Sequence, residues 1–455
     1  MTTFFERWIG AVAARVIRRE QPTIIAVTGS VGKSSTKNAV GIILDAADPQ
    51  AKVRVSIKNY NNELGVPLTI LGLRAPGRSP FLWVRAVWTV LFFALGWKRT
   101  GIKTFVLEMG ADKPGDLAYL TRIAPPSVGL VTAVTPEDPA MAPVHAANYA
   151  SIDAMAAEKA TLVEAVRVGG TAILNADDER VRAMRALTKE RVYTFGQTEG
   201  ADVRLVGTRM VCEEGEHGNE SKGIEISVES FNRLRKIFLP GVFGKPIAYA
   251  VCAALTVSAI LDNDIDESLG RLKEKFRGLP GRTRIIPGIK YTTLLDDSYN
   301  ASPVAVLSAL RDLAQLDLKE GQRRVACLGE MRELGEQSEA LHRLVGAEAA
   351  KLNLDLLVVC GTLAHVMAEG ARGAGMADDR IKIFDDTPEA GLFLQEWIKP
   401  GDVVLAKASE GPHPSSANWN QVTGVRMERI IKELMADPAR AGELLVRQEE
   451  AWGRR

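Results

Sequence analysis

Short apolar runs that end in polar or glycine-rich turns alternate with segments of helical periodicity along most of the chain. This alternation predicts strands and helices in turn, which is typical of an α/β protein with parallel sheets. The stretch RGLPGRTR at residues 277–284 interrupts it and has the composition of a hinge. We therefore expect a helix within residues 1–21, a doubly wound domain over residues 22–280 and a second, Rossmann-like α/β domain over residues 281–455.

The same patterns predict the individual elements. In the first domain, strands are expected at residues 23–27, 104–110, 128–134 and 171–174, and helices at residues 151–166 and 247–261. In the second domain, strands are expected at residues 292–296, 324–328, 354–360, 381–384 and 402–406, and helices at residues 303–316, 338–351, 361–371, 388–398 and 427–435. Residues 199–235 predict antiparallel hairpins whose poorly patterned centre, residues 213–223, forms a mobile tip. The Gly-Val-Pro at residues 65–67 predicts the end of any helix there.

Two segments near the N-terminus are amphipathic or strongly apolar. Residues 4–20 form a basic amphipathic helix that either docks on the first domain or lies on a membrane surface. Residues 81–97, inside an apolar insertion at about residues 75–101, are shorter than the ~20 residues of a membrane span and contain Arg85. An interfacial helix, a protein contact and a buried helix remain open for this segment, since it carries several interfacial residue types: Trp83, Trp88, Trp97, Lys98 and Arg99.

The sequence TIIAVTGSVGKSSTKN at residues 23–38 predicts a strand, a tight loop and a helix. Backbone N–H groups of such a loop cradle phosphates at a helix N-terminus, while Lys33 reaches the outer phosphates and the Ser34 hydroxyl ligates Mg²⁺. A chance glycine turn is the alternative, and the strand before it and the hydroxyl-rich run after it favour nucleotide binding. The expected nucleotide-binding residues of this loop are Gly29, Ser30, Gly32, Lys33, Ser34 and Ser35.

Polar side chains elsewhere in the first domain point to the same site. Glu108 ends a predicted strand, where ligands of open α/β sheets gather, so we expect it to hold a metal beside the phosphate loop. Asn61 and Asn62 belong to a loop whose amides offer donors and acceptors to a polar substrate.

Composition limits the class of protein. The chain has 455 residues and a net charge of +1, from 57 basic and 56 acidic residues, so it is long enough for two domains and gives no indication of nucleic-acid binding. Its four cysteines lie far apart without a C-x-x-C pair, which fits packing roles in a reducing compartment. Arginines interrupt the apolar positions of the first twenty residues, so we expect no signal peptide and a cytoplasmic protein, or one peripheral to the inner face of the membrane.

Six sequence blocks, taken together and in this order, resemble the Mur ligase family over about residues 22–435: TGSVGKSSTK, NYNNELGVPLTIL, LEMGADKPGDLAYLTRIAP, LNADD, LLDDSYNASP and LGEMRELGEQSEALH. The resemblance implies an ATP-dependent ligase that phosphorylates a carboxylate and lets an amine attack the acyl phosphate. The implied reaction adds D-Ala-D-Ala to a UDP-muramoyl-tripeptide-like acceptor in peptidoglycan precursor synthesis. Two alternatives remain: a related ligase acting on a lipid-linked or polymeric carboxylate, and a catalytically weak ATP-binding scaffold.

The resemblance also assigns roles to individual residues. Lys33, His145 and Lys159 are implied to be catalytic, with Lys159 carbamylated; a surface histidine and a solvated lysine are the alternatives. Ser34 and Glu108 are implied to hold one Mg²⁺, and His145 and Lys159 a second. Other implied contacts are Arg282, Asp297, Tyr299 and Asn300 to the nucleotide, Asn61, Asn62, Lys407 and Ser409 to the substrates, and Glu330, Glu333 and His342 near the incoming amine, although glutamates at a solvated helix start are an equal interpretation.

The chain departs from the family pattern in four places. Only about twenty residues precede the first strand, where family members carry a domain for the UDP-sugar. Residues 242–247 read VFGKPI in place of a His-Asn sequence near the adenine, Ser302 replaces an asparagine, and residues 413–423 are inserted after Ser409. The apolar segment at residues 81–97 is the fourth departure, and both apolar segments are candidates for contact with a membrane or a protein.

Overall fold

The computed structural model describes residues 4–57, 60–74, 80–134, 148–409 and 425–449. Within them, the first half of the chain contains the helices α1 (Phe4–Glu20), α2 (Lys33–Ile43), α3 (Gly65–Leu71), α4 (Pro80–Ala94), α5 (Asp116–Ile123), α6 (Ile152–Glu164), α7 (Glu179–Ala183), α8 (Lys245–Ile260) and α9 (Ile265–Lys275). Its strands are β1 (Thr23–Thr28), β2 (Val53–Val55), β3 (Thr104–Glu108), β4 (Val128–Val131), β5 (Thr171–Asn175), β6 (Arg191–Gly196), β7 (Val203–Gly215), β8 (Gly218–Ser230) and β9 (Arg233–Pro240).

These strands form one sheet in the order β2-β3-β1-β4-β5-β6-β7-β8-β9 among the residues described. The pairs from β2 to β7 are parallel, whereas β8 pairs antiparallel with β7 and with β9. Apolar residues of α1, α3, α5 and α6 cover one face of the parallel part, and those of α2, α8 and α9 cover the other. Because both faces are buried, the central strands are almost wholly apolar.

The second half of the chain repeats this architecture on a smaller scale. Its strands are β10 (Arg284–Pro287), β11 (Thr293–Asp296), β12 (Arg324–Leu328), β13 (Leu356–Cys360), β14 (Ile381–Phe384) and β15 (Val403–Lys407), and its helices are α10 (Pro303–Ala314), α11 (Ser338–Ala350), α12 (Ala364–Gly373), α13 (Thr387–Trp397), α14 (Glu428–Leu434) and α15 (Ala441–Leu444). The sheet order is β10-β11-β15-β12-β13-β14, with only β10 antiparallel among the described strands. Two apolar clusters lie on its two faces. The predicted fold class, two successive doubly wound α/β units, is confirmed.

The N-terminal helix α1 docks on the first sheet. Ile9, Val12 and Val16 are buried in the same cluster as Ile24 of β1 and Phe105 of β3. The docking alternative is therefore confirmed for the apolar face of this helix.

Two local predictions are wrong. Gly65 and Pro67 begin α3 instead of ending a helix, because a proline in the first turn loses no intrahelical hydrogen bond. Residues 213–223 do not form a long irregular tip. Strands β7 and β8 remain paired up to Gly215 and Gly218, which leaves a turn of only two residues. Next to that turn, the N–H of Asn219 in β8 donates to the side-chain oxygen of Gln322 at 2.9 Å, and Gln322 belongs to the second half of the chain.

Candidate active site

A cleft of about 1210 Å³ separates the carboxyl ends of the strands in the two sheets. Most of the predicted site residues line it: Ser30, Gly32, Lys33, Ser34, Ser35, Asn61, Glu108, Arg282, Asp297, Tyr299, Asn300, Lys407 and Ser409. Gly29, Asn62 and Lys159 are not among the lining residues, and His145 lies outside the described part of the chain, as does the insertion at residues 413–423. The structure thus gathers residues that are more than 370 positions apart in the sequence, from Ser30 to Ser409, into one cleft.

The phosphate loop joins β1 to α2 in a conformation that needs two glycines. Gly29 has φ 143°, and a Cβ atom there would lie 2.0 Å from the hydroxyl of Thr132. Gly32 has φ 87° at the N-terminal cap of α2, a left-handed conformation that is costly for other residues. The first turn of α2 lines the cleft, and the N–H groups of a first helical turn have no partner within the helix, as in an anion-binding site.

The ammonium group of Lys33 lies over this loop. It donates to the carbonyl oxygen of Gly29 at 2.7 Å. Burial lowers the pKa of Lys33, although the carboxylates of Glu108 and Asp112 oppose the shift. This lysine is positioned to meet an anion that enters the loop.

Glu108, at the end of β3, is the centre of a buried polar cluster. One of its carboxylate oxygens accepts from the Ser34 hydroxyl at 3.0 Å and from the Lys37 ammonium at 2.9 Å, and the other accepts from the Asn61 amide at 3.4 Å. Burial alone would raise the pKa of Glu108, but the charges of Lys37 and Lys33 outweigh it and hold that pKa below its ordinary value. Glu108 is therefore ionised at neutral pH.

The residues around Glu108 fit a magnesium ion. The carboxylate of Glu108 and the hydroxyl of Ser34 are hard oxygen donors, and Mg²⁺ in nucleotide sites takes one or two such protein ligands together with phosphates and water. Within the described residues, no group of three or more His, Cys, Asp or Glu side chains could hold a metal by itself. The donor set thus suits a cation that arrives with a nucleotide more than a permanently bound metal.

Lys37 was missed by sequence reasoning. It lies on α2 one turn after Ser34, so both side chains reach the same carboxylate. The signal was present in the helical spacing, but a lysine in a helix is ordinarily a solvated residue.

Lys159 of α6 is buried, with 1% of its surface exposed. Burial, reinforced by the positive charge of Lys33, lowers the pKa of Lys159 to about 7 against the opposing charges of Asp112 and Glu158. A buried lysine with this pKa has a substantial fraction of neutral amine at pH 7, which is the form that reacts with carbon dioxide. The solvated-lysine alternative is therefore wrong.

The second domain contributes a compact set of groups from across the cleft. The ammonium of Lys407 forms an ion pair with Asp297 and donates to the carbonyl oxygen of Asn300 at 3.0 Å. The guanidinium of Arg282 stacks on the ring of Tyr299, 4.0 Å from its centre. These contacts hold a planar cation and an aromatic ring at the cleft.

Ser409, the remaining cleft residue of this set, bridges two loops. Its hydroxyl donates to the carbonyl oxygen of Ala301 at 2.8 Å and accepts from the N–H of Arg332 at 3.0 Å. The position of Ser409 is therefore fixed by the backbone of both loops.

Some residues of the block at residues 329–342 line the cleft, and others are buried in the interior of the second domain. Glu333 lines the cleft together with Arg332. His342 is fully buried and does not line the cleft: its Nε2 accepts from the N–H of Met331 at 2.9 Å, while its Nδ1 lies 2.7 Å from the carbonyl oxygen of Ser338. The geometry of His342 is that of a support for the loop after β12.

Comparisons with known proteins find relatives of both halves of the chain. Residues 27–257 match the Mur ligase middle domain, and residues 281–410 match the Mur ligase glutamate ligase domain. The chain is 32% identical over 415 residues to the UDP-N-acetylmuramoyl-tripeptide--D-alanyl-D-alanine ligase of Mycobacterium tuberculosis, covering 88% of this chain and 72% of the relative. It is 27% identical over 420 residues to the ligase of the same name from Bacillus subtilis, covering 91% and 76% of the two chains.

A solved structure has the same fold. The MurF ligase from Thermotoga maritima in complex with ADP superposes with a TM-score of 0.71 at 24% identity, covering 95% of this chain and 84% of that chain.

Proposed function

Because the chain belongs to the Mur ligase family and is an ATP-dependent ligase, we propose that it joins D-Ala-D-Ala to the free carboxylate of a UDP-N-acetylmuramoyl-tripeptide. The names of the relatives support this choice of substrates. The observation that carries the proposal is the cleft itself, in which the phosphate loop and Glu108 on one side face Arg282, Asp297 and Lys407 on the other. The scaffold alternative is set aside by the family assignment.

The reaction needs two anions to meet. A carboxylate oxygen of the acceptor attacks the γ-phosphorus of ATP, giving an acyl phosphate and ADP, and the amine then attacks the acyl carbon and displaces phosphate. We assign Lys33 and the N–H groups of the phosphate loop to the β- and γ-phosphates, where they offset the charge that builds up during transfer. ATP is the nucleotide of this proposal, in keeping with the ADP complex of the Thermotoga maritima relative.

Mg²⁺ belongs to the same proposal. Ser34 and Glu108 would hold it, and it would supply charge neutralisation between the phosphates and the carboxylate. The Glu108 carboxylate is already ionised and oriented toward Ser34, so its donor atoms need little rearrangement.

Lys159 and His145 are assigned to a second cation. A carbamate on Lys159 would replace a buried amine by an anion with two oxygen donors. The lowered pKa of Lys159 supports carbamylation, because the neutral amine is the reactive form. His145 lies outside the described residues, and its role rests on the family resemblance alone.

The second domain is assigned to the nucleotide and the amine. We assign Arg282, Asp297, Tyr299 and Asn300 to the nucleotide and Lys407 to the substrates; Ser409, Asn61 and Asn62 keep their predicted substrate roles. The domain limits at residues 22–280 and 281–455 remain predictions, and the family matches lie within them.

A second candidate acceptor is a lipid-linked or polymeric carboxylate. The exposed apolar face of α4 favours it, because a membrane-bound acceptor would meet a membrane-bound enzyme. Attachment of the chain to the membrane or to a protein through residues 4–20 and 81–97 also remains a proposal. Within the described residues, no helix is long and apolar enough to cross a membrane.

The test is phosphate release from ATP and Mg²⁺ with UDP-N-acetylmuramoyl-tripeptide and D-Ala-D-Ala, each substrate being omitted in turn. We expect release that requires both substrates and equals the amide formed. Release only with a different acid and amine would replace the proposed substrates while leaving the ligase assignment intact.

A further inference from the structure

The outward face of α4 is apolar although it lies in solvent. Phe81, Val84, Trp88 and Phe92 follow helical spacing on one side, and Ala86, Val90 and Phe93 are buried on the opposite side. Phe81 is 74% exposed and Trp88 is 58% exposed. A surface helix normally has polar residues on its outward face, so this one presents a surface that water solvates poorly.

The exposed residues continue past the end of α4, and the rings of Trp88, Phe92 and Trp97 pack against one another in a row. The ring centres of Trp88 and Phe92 are 6.3 Å apart, and those of Phe92 and Trp97 are 5.8 Å apart. Leu95 is 58% exposed and Trp97 is 75% exposed. We call Phe81, Val84, Trp88, Phe92, Leu95 and Trp97 the aromatic ridge. Scattered apolar residues are common on protein surfaces, but a contiguous set of this kind marks an interaction site.

The charged side chains within residues 81–99 all have the same sign. Arg85 is exposed on the same face of α4, and exposed Lys98 and Arg99 directly follow Trp97. Residues 81–99 contain three cations and no Asp or Glu. Clusters of this composition are attracted to anionic surfaces, and Trp with Lys or Arg is the pairing found at the level of lipid headgroups.

The neighbouring helix α1 adds to this charge. Its exposed positions include Arg15 and Arg18. Of its two acidic residues, Glu6 is half-buried and Glu20 is turned inward, with its carboxylate accepting from the N–H of Thr100 at 3.1 Å. The two helices lie side by side and run in the same direction, since Phe5 packs on Trp83 with ring centres 5.0 Å apart and Arg19 donates to the carbonyl oxygen of Lys98 at 2.7 Å.

The Trp97 end of the ridge lies away from the cleft. The chain passes from it to the start of β3, where the N–H of Thr23 at the start of β1 donates to the carbonyl oxygen of Lys103 at 2.9 Å. The phosphate loop and Glu108 lie at the opposite, carboxyl ends of these strands. Contact through this end therefore leaves the cleft open to substrates.

We propose that the aromatic ridge docks the protein on an anionic lipid bilayer, with α4 lying in the plane of the interface. The aromatic and aliphatic side chains enter the headgroup and upper acyl region, while Arg85, Lys98 and Arg99 contact lipid phosphates. A bilayer fits better than a protein groove, because the outward face of a helix is convex and its cations are distributed along and beyond the apolar residues. This attachment does not depend on which carboxylate the enzyme uses.

The test is flotation of the full-length protein with vesicles of phosphatidylcholine containing phosphatidylglycerol, compared with phosphatidylcholine alone. We expect binding to the anionic vesicles that weakens as salt is raised. The pair Trp88→Ser and Trp97→Ser should reduce the partition coefficient at least about tenfold, and the pair Lys98→Glu and Arg99→Glu should do the same on anionic vesicles only.

Matched controls separate docking from general surface effects. Phe231→Ser with Leu392→Ser removes apolar side chains that are 58% and 57% exposed elsewhere, and Lys189→Glu reverses an exposed charge; these variants should bind like the intact protein. Circular dichroism and thermal unfolding check that each variant is folded. The proposal is overturned if the intact protein stays with the unbound fraction, if the ridge variants float as the controls do, or if sedimentation shows that the ridge instead pairs two copies of the chain.

Discussion

The ammonium group of Lys37 lies 2.9 Å from a carboxylate oxygen of Glu108, and both side chains are almost completely shielded from solvent. The same oxygen accepts a hydrogen bond from Ser34. A buried carboxylate needs a compensating charge, and Lys37, assisted by the charge of Lys33, keeps Glu108 ionised. This pair defines the electrostatics on which the proposed magnesium site depends.

Replacing Lys37 by methionine should destabilise the protein and make its stability depend on Mg²⁺ with ATP. The substitution leaves the Glu108 charge buried without its partner, which costs roughly 3 kcal/mol. A cation bound at Ser34 and Glu108 restores part of this loss. Thermal unfolding with and without Mg²⁺ and ATP measures both effects, with the exposed Lys189→Met as the control. If Mg²⁺ and ATP stabilised the Lys37→Met and Lys189→Met variants equally, Glu108 would not be a ligand of the metal.

Replacing Lys33 by alanine should abolish amide formation while the protein remains folded. Within the described residues, the Lys33 ammonium donates to the carbonyl oxygens of Gly29 and Ser30 in its own loop, so folding loses little, whereas the transferred phosphoryl group loses a cation. We expect the rate of amide formation to fall by about a thousandfold. The exposed Lys113→Ala serves as the control, and a folded Lys33 variant with an unchanged rate would refute the assignment of the phosphate loop.

Lys159 should carry a carbamate whose amount rises with pH. Its pKa of about 7 means that about a tenth of the amine is neutral at pH 6 and about nine tenths at pH 8. Carbon-13 NMR with labelled bicarbonate should therefore show a carbamate signal that grows over this range and is absent from Lys159→Ala.

The activity of the same variant provides a second measurement. Lys159→Ala should be inactive and should regain activity when acetate is supplied, because a small carboxylate can occupy the space of the carbamate. Absence of both the NMR signal and the acetate effect would show that Lys159 is not carbamylated.

His342 should matter for stability and not for the affinity of the amine. Removal of its ring leaves the N–H of Met331 without an acceptor inside the protein, which costs roughly 1–3 kcal/mol in His342→Ala. The KM for D-Ala-D-Ala should stay unchanged. A large increase in that KM would instead show that His342 contributes to the binding site of the amine.

The pH dependence of stability tests the same residue. Burial lowers the pKa of His342 below its ordinary value of 6.5, so the unfolded chain binds the extra proton more readily. The contribution of His342 to stability is therefore present above about pH 6.5 and is lost as the pH falls through the lower pKa of the folded state. Chemical denaturation between pH 5 and pH 8 should show that the free energy of unfolding rises less steeply with pH in His342→Gln than in the intact protein.

The fold was largely predictable because strands buried on both faces are continuous apolar runs. β1, β3 and β12 each begin at the predicted residue. The errors arise where local signals have two meanings. Pro67 marks the end of a helix in one context and its first turn in another, and only the packing of α3 against α1 and β3 decides between them.

The site was predictable where backbone geometry and family pattern coincide, as at Gly29 and Gly32. Lys37 and His342 show what a sequence cannot provide. Lys37 is expected in solvent and is buried against Glu108, while His342 is expected near the incoming amine and supports a loop. Both outcomes depend on which elements pack together, and no local pattern records that packing.

The most direct test of the ligase assignment follows the oxygen atoms of the acceptor carboxylate. UDP-N-acetylmuramoyl-tripeptide labelled with oxygen-18 in both oxygens of that carboxylate is incubated with ATP, Mg²⁺, D-Ala-D-Ala and the intact protein, and the phosphate and amide products are analysed by mass spectrometry. Transfer through an acyl phosphate places one labelled oxygen in the phosphate and leaves one in the new amide. Phosphate that contains no label, with the acceptor unchanged, would show that the cleft hydrolyses ATP without activating this carboxylate.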